Sequence, residues 1–219
     1  MQKLVADKRV YGLVVAGDCL FYRVNRTVLV GQADAYFQHD LRYPCEVSEQ
    51  DYNRAKYRAP LSPYHDGEAV TFLPTGDSLR CFWSDSIVRQ FDHLGHFVRE
   101  FPTSIEATMG IESITLDDDG HLWTAEPAFH HVAQYDLASA RKRYEIGGDW
   151  EPGELSYPED VVCYEQHLFI SDMGHKRLAQ LDIRTKQLHT YRTFTQRIWE
   201  YRRIKNHEVV RLENGLYIL

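Results

Sequence analysis

A five-residue pattern of alternating apolar and polar positions occurs three times along the chain. It consists of an apolar residue, a variable residue, Gln, a second apolar residue and Asp, and it reads VRQFD at residues 88–92, VAQYD at 132–136 and LAQLD at 178–182. Such alternation predicts a β-strand. The closing Asp suits a following turn, because its carboxylate can accept hydrogen bonds from nearby backbone N–H groups. The spacing of about 45 residues indicates a tandem repeat.

Three more strands accompany each copy of this pattern. The first reads GEAVTF (67–72), IESITL (111–116) or PEDVVC (158–163), and the second, after a polar turn, reads LRCFWSD, LWTAE or LFISD. A last strand follows the pattern as GHFVREF, RKRYEI or QLHTYRTF. Four short strands that recur over such a period are typical of one blade of a β-propeller.

Both ends of the chain carry parts of the same unit. Residues 11–24 fit the first two strands, with TVLVG and AYFQHD as the third and fourth, and residues 207–219 fit a first and a second strand. An incomplete last blade would expose an unpaired strand edge, so we expect residues 2–7 to pair there. The prediction is an all-β protein: a small β-propeller of about five blades of four antiparallel strands, the last blade closed by the N-terminal strand. A dimer that pools its blades into a larger ring is the alternative.

Two segments of this single domain, residues 1–219, fall outside the repeat. Residues 195–207 connect the last full blade to the composite blade and are predicted to form a short helix. Residues 38–66 form an insertion, and loops of that length are often functional. The insertion is aromatic and basic, and we predict within it a binding surface made of Tyr52, Arg54, Tyr57, Arg58 and Tyr64. These residue types can stack on single-stranded nucleic acid, but they are also enriched at protein interfaces, and we favour a protein partner.

The unit at residues 156–194 resembles an NHL repeat. Pro158 opens it, Asp172 ends its second strand, and HKRL at residues 175–178 stands where that repeat has Asn, any residue, Arg and an apolar residue. The resemblance implies that Asp172 and Arg177 together hold the following turn. It also implies a propeller fold.

The resemblance is weaker over residues 66–147, where Glu126 replaces the Asp. It does not define an activity, because NHL-like propellers include platforms for protein or RNA as well as hydrolases and lyases.

Composition narrows the classes of protein. The chain has 219 residues, of which 43% are hydrophobic, enough to bury a sizeable core. Its net charge of −7 argues against a general nucleic-acid binder. It shows neither a signal-peptide core nor an apolar run long enough for a membrane span, so we expect a cytoplasmic protein, monomeric or homodimeric. The four cysteines lack CxxC spacing and are predicted to be reduced thiols, most of them buried.

Glutamates recur at the start of the predicted innermost strands, and Gly12 takes that position in the first blade. The four glutamates are Glu68, Glu112, Glu159 and Glu208. Converging carboxylates repel one another unless a cation neutralises them, and a hard cation such as Ca²⁺ prefers oxygen ligands. The alternative is that these side chains accept hydrogen bonds from neighbouring strands. If the glutamates accept such hydrogen bonds, no cofactor is required. If they converge on a cation, the cofactor is calcium.

The histidines show no metal-site spacing. We predict that these side chains lie in exposed loops: His121, His130, His131, His167 and His175.

Two functions follow from these patterns. The first is a non-enzymatic binding module of the inhibitor, immunity or adaptor type, which recognises another macromolecule, preferably a protein, through a propeller face and the 38–66 insertion. The sequence contains no nucleophile-elbow or phosphate-loop motif, and no catalytic residue is predicted. The alternative is a divalent-metal-dependent hydrolase or lyase similar to lactonases, with the glutamates as ligands and His207 or Asp160 as the base.

Overall fold

The alternating segments form strands, and the strands form sheets of four. The computed structural model describes residues 1–5, 9–32, 44–58, 68–82, 84, 86–103, 110–148 and 150–219. These residues contain five antiparallel four-stranded sheets, which are the blades of a small β-propeller. The predicted fold class is therefore confirmed. The blades belong to two compact units, Pro63–Thr195 and the pair of segments Met1–Ser62 and Gln196–Leu219.

The second, third and fourth blades make up the unit Pro63–Thr195. The second blade consists of β6 (Glu68–Phe72), β7 (Ser78–Phe82), β8 (Ile87–Phe91) and β9 (Phe97–Pro102). The third blade consists of β10 (Ser113–Leu116), β11 (Leu122–Glu126), β12 (His131–Asp136) and β13 (Arg141–Ile146). The fourth blade consists of β14 (Pro158–Tyr164), β15 (His167–Asp172), β16 (Arg177–Asp182) and β17 (Leu188–Thr193). A 3₁₀-helix, Pro127–Phe129, joins β11 to β12.

The first blade differs from its prediction in its last strand. It consists of β2 (Val10–Ala16), β3 (Cys19–Val24), β4 (Thr27–Gln32) and β5 (Cys45–Val47). β5 is the fourth strand of this blade and pairs with β4. The segment predicted to be the fourth strand, AYFQHD, lies outside the described residues. Helix α1 (Glu49–Tyr57) follows, and a capping box between Ser48 and Asp51 starts it. Among the described residues, no helix has the length and apolar character that a membrane span requires.

The fifth blade combines the two ends of the chain. Its strands are β18 (Ile198–Ile204), β19 (His207–Leu212), β20 (Gly215–Ile218) and β1 (Gln2–Val5). β1 pairs with β20, Gln2 opposite Ile218, so the predicted closure by the N-terminal strand is confirmed.

The short helix predicted for residues 195–207 is wrong, because β18 is a strand and pairs with β19. Buried apolar residues at Ile198, Tyr201 and Ile204 suggest helical spacing, but an irregularity between Ile198 and Glu200 shifts the register of the strand. β19 is consequently the second strand of its blade and not the first.

The closing Asp of each repeat holds the next turn. Asp92 Oδ1 accepts hydrogen bonds from the backbone N–H groups of Leu94 and His96 at 2.9 and 2.8 Å. Asp136 and Asp182 accept equivalent bonds in their own turns. These bonds favour the ionised carboxylate and lower the pKa of all three aspartates. The predicted role of the Asp is confirmed.

The repeated Gln ties the third strand to the hairpin between the first two. Gln90 Nε2 donates to Asp77 Oδ2 at 2.9 Å, and Gln134 Nε2 donates to Asp117 Oδ2 at 2.8 Å. The indole of the buried Trp123 donates to the same Asp117 oxygen at 3.0 Å. Desolvation raises the pKa of Asp117, but hydrogen bonds from these donors and from the turn outweigh it, so the pKa is lowered overall.

Side-chain bonds also join the first strands of adjacent blades. Ser113 Oγ donates to Asp160 Oδ1 at 2.9 Å, and Val161 N donates to Ser113 Oγ at 3.2 Å. In the other unit, Leu13 N donates to Glu200 Oε1 at 3.0 Å in the same way. Ser113 and Glu200 therefore perform one structural task with different chemistry.

The four cysteines are free thiols with different exposure. Cys81 is buried and Cys45 is exposed. Desolvation raises the pKa of Cys163 to about 12, so its thiol remains protonated near neutral pH.

We expect removal of Met1–Val5 to lower the melting temperature and promote aggregation, because it uncovers the edge of β20 and takes Leu4 out of a buried cluster. The point variant Leu4→Ala should lower the free energy of unfolding by about 2–5 kcal/mol. For a chain of this size, each kcal/mol lowers the melting temperature by roughly 2–4 °C. Gln2→Ala is the matched control, since Gln2 is exposed on the same strand. Thermal unfolding followed by circular dichroism measures all three. A truncated chain as stable as the full chain contradicts closure by β1.

Candidate binding surface

The insertion is anchored by two buried tyrosines. Tyr52 Oη donates to Gly12 O at 2.9 Å, and the Arg23 guanidinium lies over its ring, 3.8 Å from the centroid. Desolvation raises the pKa of Tyr52. Gly12 has a φ of 67°, and a Cβ there would stand 2.5 Å from Tyr52 Oη, so this position favours glycine. Tyr57 is buried as well.

Burial removes two tyrosines from the binding surface predicted in the insertion. Burial leaves Tyr52 and Tyr57 no area to offer a partner, since their rings pack into the fold. Arg54 and Arg58 are exposed, and Tyr64 lies outside the described residues. Composition alone does not distinguish a tyrosine that anchors a helix from one that binds a partner.

The four predicted glutamates do not share one position. Glu112 and Glu159 are equivalent, because the residues after them, Ser113 and Asp160, each lie opposite the next-to-last residue of the second strand in their blade. Glu68 opens β6, and only its backbone is described.

Glu208 lies on β19, the second strand of its blade, so the expectation that it opens an innermost strand is corrected. Tyr201 Oη donates to its carboxylate, and Arg203 pairs with it at 3.1 Å.

Glu112 keeps an unusual environment. It is exposed, yet the protein around it desolvates the carboxyl and raises its pKa. Among the residues that the structure describes, no group of three or more His, Cys, Asp or Glu is arranged to hold a metal ion. Asp160, a candidate base, is buried and bonded to Ser113.

Asp172 holds the end of β15 together. Its Oδ2 accepts from Arg177 Nε at 2.7 Å and lies 2.9 Å from His175 Nδ1, while its Oδ1 accepts from Ser156 N at 2.8 Å. The carboxylate is fully buried. This geometry agrees with the structural role that the resemblance implied for Asp172 and Arg177.

In the third blade the same position holds a buried Glu–His pair. Glu126 lies opposite His131, as Asp172 lies opposite Arg177. His131 Nδ1 is 3.7 Å from Glu126 Oε1, and its Nε2 is 3.1 Å from Glu145 Oε2. The prediction that His130 and His131 are exposed loop residues is wrong, because both are buried. Their neighbours explain this: both pack under the connection between β13 and β14.

That connection carries two exposed aromatic rings. Trp150 is 63% exposed and stacks on the buried Phe129 at 4.8 Å between ring centroids, tilted by 58°. Tyr157 is 45% exposed and meets His130 edge-on at 4.5 Å. We call Trp150, Tyr157 and their supports Phe129 and His130 the aromatic surface. It lies where β11, β13 and β15 end and where β12, β14 and β16 begin.

Tyr157 is held in a left-handed backbone conformation, with φ of 51°. Its N–H donates to His130 Nδ1 at 3.0 Å, and its carbonyl accepts from Met173 N at 3.1 Å. Because Nδ1 accepts this bond, His130 carries its ring proton on Nε2. A bulky residue in this region is an outlier that persists only when surrounding bonds fix it, and such strain clusters at functional sites.

Sequence reasoning missed the aromatic surface. The segment GGDWEPGELSY at residues 147–157 lies between predicted strands, where the repeat pattern predicts only a connection. The available signal was a tryptophan among glycines and a proline, outside every apolar strand pattern, where a core role is hard to assign.

No family model matches this chain, and no curated protein matches its sequence. Solved structures are similar to it. A streptogramin B lyase aligns with a TM-score of 0.54 at 12% identity, over 100% of this chain and 70% of the other. Virginiamycin B lyase from Staphylococcus aureus gives 0.54 and 12%, over 100% and 72%. A protein of unknown function from Bacteroides caccae gives 0.53 and 11%, over 90% and 68%. Identities this low show the β-propeller fold alone, and the NHL resemblance stays a prediction.

We expect Gly147→Ala to destabilise the protein more than Gly120→Ala. Both glycines have positive φ, 76° and 80°, so each alanine costs about 1–2 kcal/mol of backbone strain. A Cβ on Gly147 would also stand 2.0 Å from His130 O, whereas nothing lies within 4 Å at Gly120. Overpacking of this kind adds about 1–3 kcal/mol. Urea unfolding measures the difference, and equal losses would show that the connection does not pack on His130.

Proposed function

We propose that this protein is a binding module that recognises another protein through the aromatic surface. The observation that carries the proposal is the exposure of Trp150 and Tyr157 on a rigid, hydrogen-bonded base. Tryptophan and tyrosine dominate the residues that contribute most binding energy at protein interfaces. Rings that are already fixed lose little conformational entropy when a partner covers them.

The base beneath these rings supports this assignment. Leu155 and Ser156 lie between the two rings in sequence; Leu155 is buried in the core, and Ser156 bonds to Asp172 and Gly174. An indole with 63% of its surface in water leaves a large apolar area available to a partner. An adaptor, inhibitor or immunity-type protein would use such a surface.

The 38–66 insertion contributes less to this proposal than its composition suggested. Of its predicted binding residues, Arg54 and Arg58 are exposed and described, and they belong to the other compact unit. They remain candidates for a second, basic contact.

We expect Trp150→Ala to weaken capture of the partner at least thirtyfold, because truncation of a dominant interface residue typically costs about 2 kcal/mol of binding free energy. Partners are captured on immobilised protein, identified, purified and titrated against each variant. Leu94→Ala is the matched control, because Leu94 is 69% exposed in the turn before β9, away from the aromatic surface. Both variants should melt near the wild-type temperature. A partner that binds Trp150→Ala and wild type equally well contradicts the proposal.

A metal-dependent hydrolase or lyase is the second proposal. It rests on Glu112 and Glu159, which occupy equivalent positions on adjacent first strands, and on the desolvated carboxyl of Glu112, which a bound cation would stabilise. Calcium is the cation we propose, because hard cations prefer carboxylate oxygens.

At a hundredfold excess over Kd, calcium should then raise the free energy of unfolding by about 2.7 kcal/mol and raise the melting temperature accordingly. The double variant Glu112→Gln/Glu159→Gln should lose this response while folding normally. Melting curves of both proteins in calcium, magnesium, manganese and chelator give the comparison. A wild-type curve that no divalent ion changes rules out the metal proposal.

A further inference from the structure

A cavity of about 270 Å³ lies between the first and the fifth blade. The described residues that line it are Val10, Trp199, Arg211, Leu212 and Glu213. All of them belong to one compact unit, and none belongs to the aromatic surface. The cavity is therefore a second candidate site, independent of the proposed function.

Three residues of this lining differ from those that the fourth blade has at the matched positions. Strand pairing matches the positions, because β14 and β18 each shift register at one residue beside the end of the second strand. The matched residues are Glu159 and Trp199, Ser171 and Arg211, and Asp172 and Leu212. Such bulges re-aim a side chain and are frequent beside functional sites. The fifth blade thus presents an indole, a guanidinium and an apolar side chain where the fourth has two carboxylates and a hydroxyl.

Three contacts hold the Arg211 guanidinium in place. Its Nη1 donates to the carbonyl of Val10 at 3.0 Å, its Nε lies 2.9 Å from Glu200 Oε2, and its Cζ lies 5.2 Å from the centroid of the Trp199 ring. Glu200 is fixed in turn, because its Oε1 accepts from Leu13 N at 3.0 Å. Nη2 has no hydrogen-bond partner among the described residues. The guanidinium therefore offers preoriented N–H donors to an acceptor in the cavity.

Glu213 lines the same cavity from the turn between β19 and β20. Its backbone N–H donates to Arg197 O at 3.0 Å, which fixes the turn. Its side chain is exposed and forms no ion pair with any residue that the structure describes. Glu213 follows Arg211 by two residues, so their Cα atoms are roughly 7 Å apart. One small molecule can therefore meet a cationic and an anionic side chain together.

The other walls of the cavity are apolar. Val10 and Leu212 are buried, and the half-buried Trp199 adds an aromatic ring. A cavity of roughly 150 Å³ holds a benzene ring. A volume of about 270 Å³ accordingly leaves room for a ring and a few more atoms. It lies near the lower limit of ordinary ligand pockets, about 300 Å³.

We propose that this cavity binds a free aromatic amino acid. The carboxylate of the ligand accepts from Nη2 of Arg211, and its ammonium group donates to the Glu213 carboxylate. Its ring packs with Trp199, since aromatic pairs gain attraction beyond the area that they bury. A carboxylate without an ammonium group is repelled, because Glu200 already faces Arg211 and Glu213 lines the same cavity.

The first test compares L-phenylalanine with two derivatives. N-acetyl-L-phenylalanine lacks the ammonium group, whereas L-phenylalaninamide lacks the carboxylate and represents the first residue of a peptide. We expect L-phenylalanine to bind the full-length protein at one site, at least tenfold more tightly than either derivative, because each derivative leaves one charged side chain without its partner. Isothermal titration calorimetry measures the affinities. Equal affinity for either derivative overturns the proposal, as does a failure of both L-phenylalanine and L-tryptophan to bind at millimolar concentrations.

The second test locates the binding. Glu213→Gln keeps the size of an exposed side chain but removes its charge, and it should weaken L-phenylalanine at least tenfold. Asp119→Asn is the matched control, because Asp119 is an exposed carboxylate in the turn between β10 and β11, and it should leave the affinity unchanged. Thermal unfolding verifies that both variants fold. Equal weakening by both variants, or by neither, contradicts binding at this cavity.

Discussion

Each blade has two apolar faces, and it can bury both only against its neighbours; the remaining features of the structure depend on this. The third blade shows it most clearly, because every residue of β11 is buried. Leu122 packs towards the second blade and Trp123 towards the fourth, as the alternation of a strand requires. The connections at the strand ends are therefore where side chains are least required for packing.

At the end of the second strand, the third and fourth blades use different pairs of side chains in equivalent positions. Asp172 Oδ2 lies 2.7 Å from Arg177 Nε, whereas Glu126 Oε1 lies 3.7 Å from His131 Nδ1. Both pairs lie beneath the connection that carries Trp150 and Tyr157. The aromatic surface is thus supported on one side by an Asp–Arg pair and on the other by a Glu–His pair.

The blade architecture could be predicted because its signals are local: alternating strands, turn-forming aspartates and a fixed period. β18 could not be recognised, since a register shift at Trp199 disguises its alternation as helical spacing. The burial of Tyr52 and His131 was also hidden, because each is decided by a distant contact, with Gly12 and with Glu126. For the same reason the aromatic surface was missed: a strained Tyr157 becomes visible only when its hydrogen-bond partners are placed.

The pairing of β1 with β20 imposes an order on synthesis. β1 precedes the other described strands along the chain and its partner β20 follows them, so β1 stays unpaired until β20 has been synthesised. Contacts between segments this far apart in sequence form slowly. β1 starts with two exposed polar residues, Gln2 and Lys3, and charged side chains on an unpaired strand oppose edge-to-edge aggregation. A variant that connects β20 directly to β1 and opens the chain at another loop would make the two strands consecutive in sequence and remove the delay.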